Sequence, residues 1–499
     1  MKIYIKGIED ERFHRPLRLI GNLFFEETEL CFTESDESLK AEFIMEEENE
    51  SIFFKGTLRA EDGKEYVASK MQSIASHIVG KDRLRIVKNT LSYVYLTILQ
   101  DYTGMIQKWG ILTGIRPTKL YHKKRQEGMT EQDIHRMFRE EYLLSEEKIL
   151  LMKQIVERQL QVIPDLDSLA NEVSIYIGIP FCPTKCAYCT FPAYAINNRN
   201  GAVDSFLGGL HYEMKEIGRW LKEKGIKITT VYYGGGTPTS ISAEEMDMLY
   251  EEMVESFPNV ENIREITVEA GRPDTITKEK LDVLNKWKID RISINPQSYT
   301  QETLKAIGRH HTVEETIDKF HLARSMGMNN INMDLIIGLP GEGIEEFDYS
   351  LEESAKLMPE SLTVHTLSFK RASEMTQNRH KYKVANREEI TTMMDHAISW
   401  TADHGYAPYY LYRQKNILGN LENVGYSLKG QDSIYNIMIM EEQQTIIGIG
   451  CGAASKFVHP ETRKIIHFAN PKDPKSYNDG FKHYTDEKIS MLEELFSKE

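Results

Sequence analysis

The rhythm of apolar positions changes once along the chain. "MKIYIKGI" at the start alternates apolar and polar residues with period two, the mark of a strand with one buried face. "LRIVKNTLSYVYLTILQDYTG" (84–104) places apolar side chains at helical spacing and runs into Gly104, a suitable stop. "EEKILLMKQIVERQLQV" (146–162) predicts another helix. The acidic run within "EFIMEEENESIFFKG" (42–56) reads as a solvated hairpin tip, and "VIPDLDSLANE" (162–172), with its proline and short polar residues, as a linker. From Ser174 onward short β-branched and aromatic runs recur: "SIYIG", "ITTVYYG", "EITVEA", "RISIN", "INMDLII" and "LTVHTL". Helical stretches such as "DSFLGGLHYEMKEIGRWLKEKG" and "VEETIDKFHLARSMGM" separate them. Strands alternating with helices predict parallel βα units, and six in a row build either an open sheet or a barrel.

The polar and glycine-rich residues of this region fall at one end of every strand. "SIYIG" runs into a cysteine loop, and "TTVYY" into Gly234, Gly235, Gly236 and Thr237. "EITVE" ends at Glu269, "RISIN" leads to Gln297, "INMD" carries Asp334, and "LTVHTLS" ends at Ser368 with Lys370 and Arg371 following. Ligands of parallel βα proteins gather at the carboxyl ends of strands. Taken singly, each residue has a plainer role: a glycine turn connects, and a glutamate or aspartate caps the next helix. Arg309 alone reads as a surface charge, and His310 and His311 as exposed loop or helix residues with no partner at metal-ligand spacing. Their sharing of one rim is what points to a site.

Composition narrows the setting. The 499-residue chain is 40% hydrophobic, an ordinary globular share, and long enough for two or three domains. Its formal net charge of −15 argues against a nucleic-acid binder with a broad basic face. No apolar run approaches a membrane span, and the N-terminus carries charge where a signal peptide needs an apolar stretch. A cytoplasmic setting without membrane contact is therefore expected, where thiols stay reduced.

Reduced thiols matter because "GIPFCPTKCAYCTF" gathers Cys182, Cys186 and Cys189 in a Cys-x3-Cys-x2-Cys loop. Such a loop reads as a metal site. Structural zinc wants a fourth protein ligand, which the loop does not offer nearby. An iron–sulfur cube on three thiolates leaves one iron open to a small molecule. Cys31 and Cys451 lie far off in sequence and read as small buried apolar side chains.

The Cys-x3-Cys-x2-Cys loop resembles that of the radical S-adenosylmethionine superfamily. "YIGIPFCPTKCAYCTF", "GGGTPT", "ITVEAGRPDT", "RISINPQSY", "GRHH" and "INMDLIIGLPGE" together resemble the oxygen-independent coproporphyrinogen III oxidase family. The likeness is strong from Ser174 to Ser368 and weaker through "GIGCGAASKF"; "WGILTGIRPTKLYHKK" and "YYLYRQKNILGNLENVGY" resemble its longer-chain branch. The resemblance implies an α/β fold: a partial (β/α)6 barrel over 166–375, an α+β extension over 1–165, and a mixed, mainly helical C-terminal domain over 376–499. It implies a [4Fe–4S] cluster on Cys182, Cys186 and Cys189, and two S-adenosylmethionine molecules. Tyr176, Tyr188, Gly235 and Glu269 would hold the first. Gly236, Thr237, Gln297, Arg309 and Asp334 would hold the second, with Ser368 and Ala454. No catalytic side chain is singled out.

The implied reaction decarboxylates two propionates of coproporphyrinogen III to vinyl groups through a 5′-deoxyadenosyl radical, fed by a reduced flavodoxin- or ferredoxin-like donor. Lys370, Arg371, Arg413 and Lys415 are candidate partners for the substrate carboxylates. The chain departs from the family in having Gly178 where a histidine is usual. It also reads "YNIMIM" (435–440) where heme chaperones carry His-Asn-x-x-Tyr-Trp. A heme carrier and a radical enzyme acting on another tetrapyrrole are the competing readings.

Overall fold

The computed structural model describes residues 1–25, 28–33, 39–48, 50–114, 116–196, 200–370, 373–414 and 417–496. Arg371 and Lys415 lie outside them. Two compact units form, Met1–Gln154 and Ile155–Glu499.

The first unit contains strands β1 (Lys2–Lys6), β2 (Glu29–Cys31), β3 (Leu39–Glu48), β4 (Ser51–Arg59) and β5 (Glu65–Ser73), in the order β2-β1-β3-β4-β5. The acidic run is indeed a hairpin end, with Glu48 opposite Ser51. The 84–104 pattern becomes the helix Gly80–Thr103, which stops where Gly104 turns left-handed at φ 70°. One sheet face and this helix bury Ile3, Ile5, Phe43, Phe54, Leu58, Leu91, Tyr95 and Leu99 in a common core.

The second unit is built on β6 (Val173–Ile179), followed by a short pair, β7 (Phe181–Cys182) and β8 (Tyr194–Ala195). Next come β9 (Ile228–Gly235), β10 (Glu265–Val268), β11 (Arg291–Ser293), β12 (Ile331–Ile337) and β13 (Ser361–Thr366). β6 and β9 to β13 pair in parallel in chain order, with helices between successive strands. Helices cover one face of these strands with apolar packing, and the other face turns polar residues such as Ser293, Asn332, Asp334 and Thr363 to the lumen. The sheet does not close on itself. β14 (Ala407–Tyr412) and β15 (Asn423–Ser427) continue it antiparallel beyond β13. β16 (Thr445–Gly450), β17 (Ala454–Val458) and β18 (Ile465–Ala469) continue it beyond β6, with β16 parallel to β6. The result is one eleven-stranded sheet, a partial barrel whose two edges are both completed by the C-terminal segment.

The stretch expected as a linker is packed structure. Leu166–Asn171 is a 3-10 helix whose Leu166 and Leu169 are buried with Ile163, Tyr409, Tyr435 and Ile446. Three apolar residues dispersed among short polar ones were enough to anchor it. Among the described residues no helix is long and apolar enough to cross a membrane.

Candidate functional site

The carboxyl ends of the six parallel strands surround a cavity of about 580 Å³. Every residue expected to hold the cluster or S-adenosylmethionine lines it: Cys182, Cys186 and Cys189; Tyr176, Tyr188, Gly235 and Glu269; Gly236, Thr237, Gln297, Arg309 and Asp334; Ser368 and Ala454. The residues come from separate βα units and from the C-terminal strands, so no local feature of the chain brings them together.

The thiol loop follows β6. Cys182 Sγ shares a 3.3 Å hydrogen bond with Thr237 Oγ1. Arg272 Nη1 lies 3.9 Å from Cys186 Sγ and donates to Thr184 Oγ1 at 3.0 Å. All three thiols are free of disulfides. Burial pushes the Cys182 thiol up to about 11, against the hydrogen bond from Thr237. Among the described residues no three His, Cys, Asp or Glu side chains converge at metal-ligand spacing, so the thiols line the wall without meeting at a point. The donor set still suits a cluster: three thiols on one loop beside guanidinium groups that would offset thiolate charge. A bound metal removes the thiol protons that burial retains.

The next strands supply a cradle. A Cβ on Gly234 would stand 2.9 Å from Glu269 Oε2, and one on Gly236 would stand 2.6 Å from the Phe181 carbonyl oxygen. Only glycine lets the backbone pass here. Gln297 holds φ 65°, a left-handed value that costs a non-glycine residue of order 1–2 kcal/mol. Its backbone is bracketed by β12, donating to the Asp334 carbonyl at 2.9 Å and accepting from Ile336 N–H at 3.0 Å. Several buried polar atoms on this wall have no hydrogen-bond partner among the described residues: Ser293 Oγ, Asn295 Oδ1, Gln297 Oε1 and Arg309 Nε. Buried polar groups are rarely left so. A ligand rich in amino, carboxylate and hydroxyl groups, as S-adenosylmethionine is, fits them.

The carboxylates differ. Burial, with the nearby Asp334 charge, pushes Glu269 up to about 8 despite Arg309 and the Gly235 N–H. Burial also acts on Asp334, yet His365, Asn332 and Thr363 hold its carboxyl below the usual range. Arg309 is buried and donates to the Asn295 and Gly271 carbonyls, so it is no surface charge.

His311 and Arg413 depart from expectation, and Cys451 and Gly178 gain a structural context. His311 is buried rather than exposed, and burial next to Arg309 lowers its imidazole to about 3. Cys451 is buried as expected but on the cavity wall, its S–H donating to the Pro471 carbonyl at 3.3 Å. Arg413 is held by Asn420 and does not line the cavity, whereas Lys370 does. At Gly178 an added Cβ would stand 2.9 Å from the Cys451 carbonyl oxygen, so the turn after β16 occupies the space a histidine would need.

Sequence reasoning missed Tyr232, Tyr410, Tyr412, Tyr435 and His365, all on the wall. Tyr176, Tyr232 and Tyr435 stack, with centroids 6.1 Å apart for the first pair and 4.4 Å for the second. The polar alternation Ser361, Thr363, His365 was the available signal, since period two puts these on the face that carries Asp334.

Fold and thiol loop define the class: the family model for the radical SAM superfamily matches residues 176–353. The oxygen-independent coproporphyrinogen-III oxidase-like protein HemZ of Bacillus subtilis (strain 168) is 66% identical over 499 residues, 100% of this chain and 99% of the relative. The heme chaperone HemW of the same organism is 29% identical over 56% of this chain and 70% of its own length. The solved structure of coproporphyrinogen III oxidase from Escherichia coli, a radical SAM enzyme, superposes with a TM-score of 0.51 at 21% identity, over 65% of this chain and 72% of that one. The chain thus belongs to the radical SAM superfamily and, within it, to the family of oxygen-independent coproporphyrinogen-III oxidase-like proteins. That membership implies a [4Fe–4S] cluster and S-adenosylmethionine.

Proposed function

We propose that this protein oxidatively decarboxylates two propionate side chains of coproporphyrinogen III to vinyl groups under anaerobic conditions. The observation that carries the reading is the convergence of every expected cluster and cofactor residue on one cavity whose buried polar atoms await partners. A [4Fe–4S] cluster with S-adenosylmethionine would supply a 5′-deoxyadenosyl radical there. Cys182, Cys186 and Cys189 would hold the cluster. Tyr176, Tyr188, Gly235 and Glu269 would seat one S-adenosylmethionine. Gly236, Thr237, Gln297, Arg309 and Asp334, with Ser368 and Ala454, would seat a second.

At each propionate the β-carbon gives up a hydrogen atom. The carboxylate leaves as CO2, and one electron passes to an external one-electron acceptor. The protein's own residues bind, orient and exclude water. Lys370, a cation on the wall near Cys189, is a counter-charge for a substrate carboxylate. A flavodoxin- or ferredoxin-like protein would reduce the cluster.

The test is anaerobic reconstitution with iron, sulfide, S-adenosylmethionine and a reductant, followed by mass analysis of coproporphyrinogen III. Loss of two CO2 and four hydrogens is expected. Complete cluster loading with S-adenosylmethionine cleavage and no vinyl product refutes the reading. Tetrapyrrole carriage is a second reading, favoured by the likeness to HemW. Against it, "YNIMIM" lies on the helix Ile434–Glu441 without the histidine, tyrosine and tryptophan of the chaperone motif. Stoichiometric heme binding and transfer to an acceptor protein, without turnover, would establish it.

A further inference from the structure

Asp334 on β12, His365 on β13 and Tyr412 on β14 form a row along the cavity wall. His365 Nε2 lies 3.4 Å from Asp334 Oδ2, and His365 Nδ1 shares a 3.2 Å hydrogen bond with Tyr412 OH. Gln414 Nε2 ends the row, 3.5 Å from the same phenol oxygen. The strand register builds it: Asp334 pairs with Thr363, and His365 is two residues further on the same face. Among the described residues His365 is the only histidine lining the cavity.

The chemistry follows from the charges. Asp334 stays ionised, since His365 and its other hydrogen-bond donors hold its carboxyl down against burial. Each ring nitrogen of His365 faces an oxygen, a geometry in which the imidazole can donate from Nε2 to Asp334 and from Nδ1 to Tyr412. In that arrangement the Tyr412 O–H is left to donate into the cavity, and burial keeps the phenol from ionising. A donor backed by charge binds a carboxylate about twice as strongly as a neutral one. Asp334 retains acceptor capacity, because a carboxylate offers about four lone-pair sites and its donors are His365, Asn332 Nδ2 at 2.8 Å and Thr363. Beside the row, Tyr410 and the stacked Tyr232 and Tyr435 offer flat apolar faces suited to a macrocycle.

We infer that Tyr412, polarised through His365 and Asp334, is the hydrogen-bond donor that seats one propionate carboxylate of the tetrapyrrole. This rests on the tetrapyrrole reading above. Tyr412 touches the ligand; His365 is a positioning residue.

The test is titration of the reconstituted full-length protein with coproporphyrin III, the oxidised macrocycle, and with its tetra-amide, which lacks the carboxylates. Y412F and H365F should each weaken coproporphyrin III binding about tenfold, as expected for one lost charge-assisted hydrogen bond. Neither should alter tetra-amide binding or iron content. The double variant should bind no more weakly than either single one, because the two act through one contact. Unchanged coproporphyrin III affinity in Y412F, an equal loss toward the tetra-amide, additive losses, or no coproporphyrin III binding by the unsubstituted protein would each overturn the inference. Product analysis separates it from the reaction proposed above. Vinyl formation with Y412F affinity unchanged removes the inference alone. Carboxylate-dependent binding without vinyl product removes the decarboxylation alone.

Discussion

Lys488→Met should destabilise the second unit by about 3 kcal/mol, through a buried ion pair that braces the cavity wall. Lys488 and Glu213 have side chains 0% and 1% exposed and are in direct contact. Lys488 also donates to the Gly448 carbonyl. Glu213 accepts from Tyr477 OH at 2.7 Å, from the Gly450 N–H at 2.8 Å and from Asn470 Nδ2 at 3.0 Å. Removing one partner of a buried pair costs about 3–5 kcal/mol, because the other charge is left uncompensated. Here Glu213 keeps its remaining donors, each of which stabilises a charge, so the lower end of that range applies. Methionine fills the volume of the lysine stem, so little cavity cost is added. With a urea dependence of about 3 kcal/mol per molar for a domain of this size, the midpoint should fall by about 1 M. The assay is anaerobic urea unfolding followed by circular dichroism. The double variant E213Q/K488M should recover part of the loss, since no buried charge remains. A midpoint shift below about 0.3 M for Lys488→Met, or a double variant showing the sum of the two single losses, would refute the reasoning.

Cys186→Ala should abolish the visible iron–sulfur absorbance of anaerobically reconstituted protein, while Cys451→Ala keeps full iron and sulfide content. Gly236→Ala should cost about 1–3 kcal/mol of stability, because its Cβ would press on the Phe181 carbonyl, backbone that cannot turn aside. Thermal unfolding and S-adenosylmethionine retention would both register it. Glu269→Gln should flatten the pH dependence of ligand-free stability. The Glu269 carboxyl is raised from 4.5 to about 8, so the folded chain holds a proton the unfolded chain has released. Its contribution is fully present below pH 4.5 and is lost as pH rises toward 8. Urea midpoints measured across that window check the slope; parallel curves for the two proteins would contradict it.

The strands of the second unit were legible because their apolar runs are short, β-branched and separated by helical stretches, and their carboxyl ends were legible because glycine and polar residues cluster there. What the chain did not disclose were pairings between segments far apart in sequence. β16 runs beside β6 because Gly450 faces Gly178 with no side chain on either, and because Ser174 Oγ donates to Gln444 Oε1 at 2.6 Å. Neither glycine announces the other, since each alone reads as a turn or a flexible point. Together they bring the turn after β16 onto the cavity, which is why Cys451, seemingly a distant core residue, and Ala454, one of the weaker expectations, both reach the wall. The same juxtaposition explains Gly178. Its hydrogen is all that fits beneath the Cys451 carbonyl, so a histidine there would have to push β16 away from β6. The departure from the family at this position and the C-terminal turn that fills it are therefore one structural feature. Among the described residues the histidine that does face this cavity stands on β13, at His365.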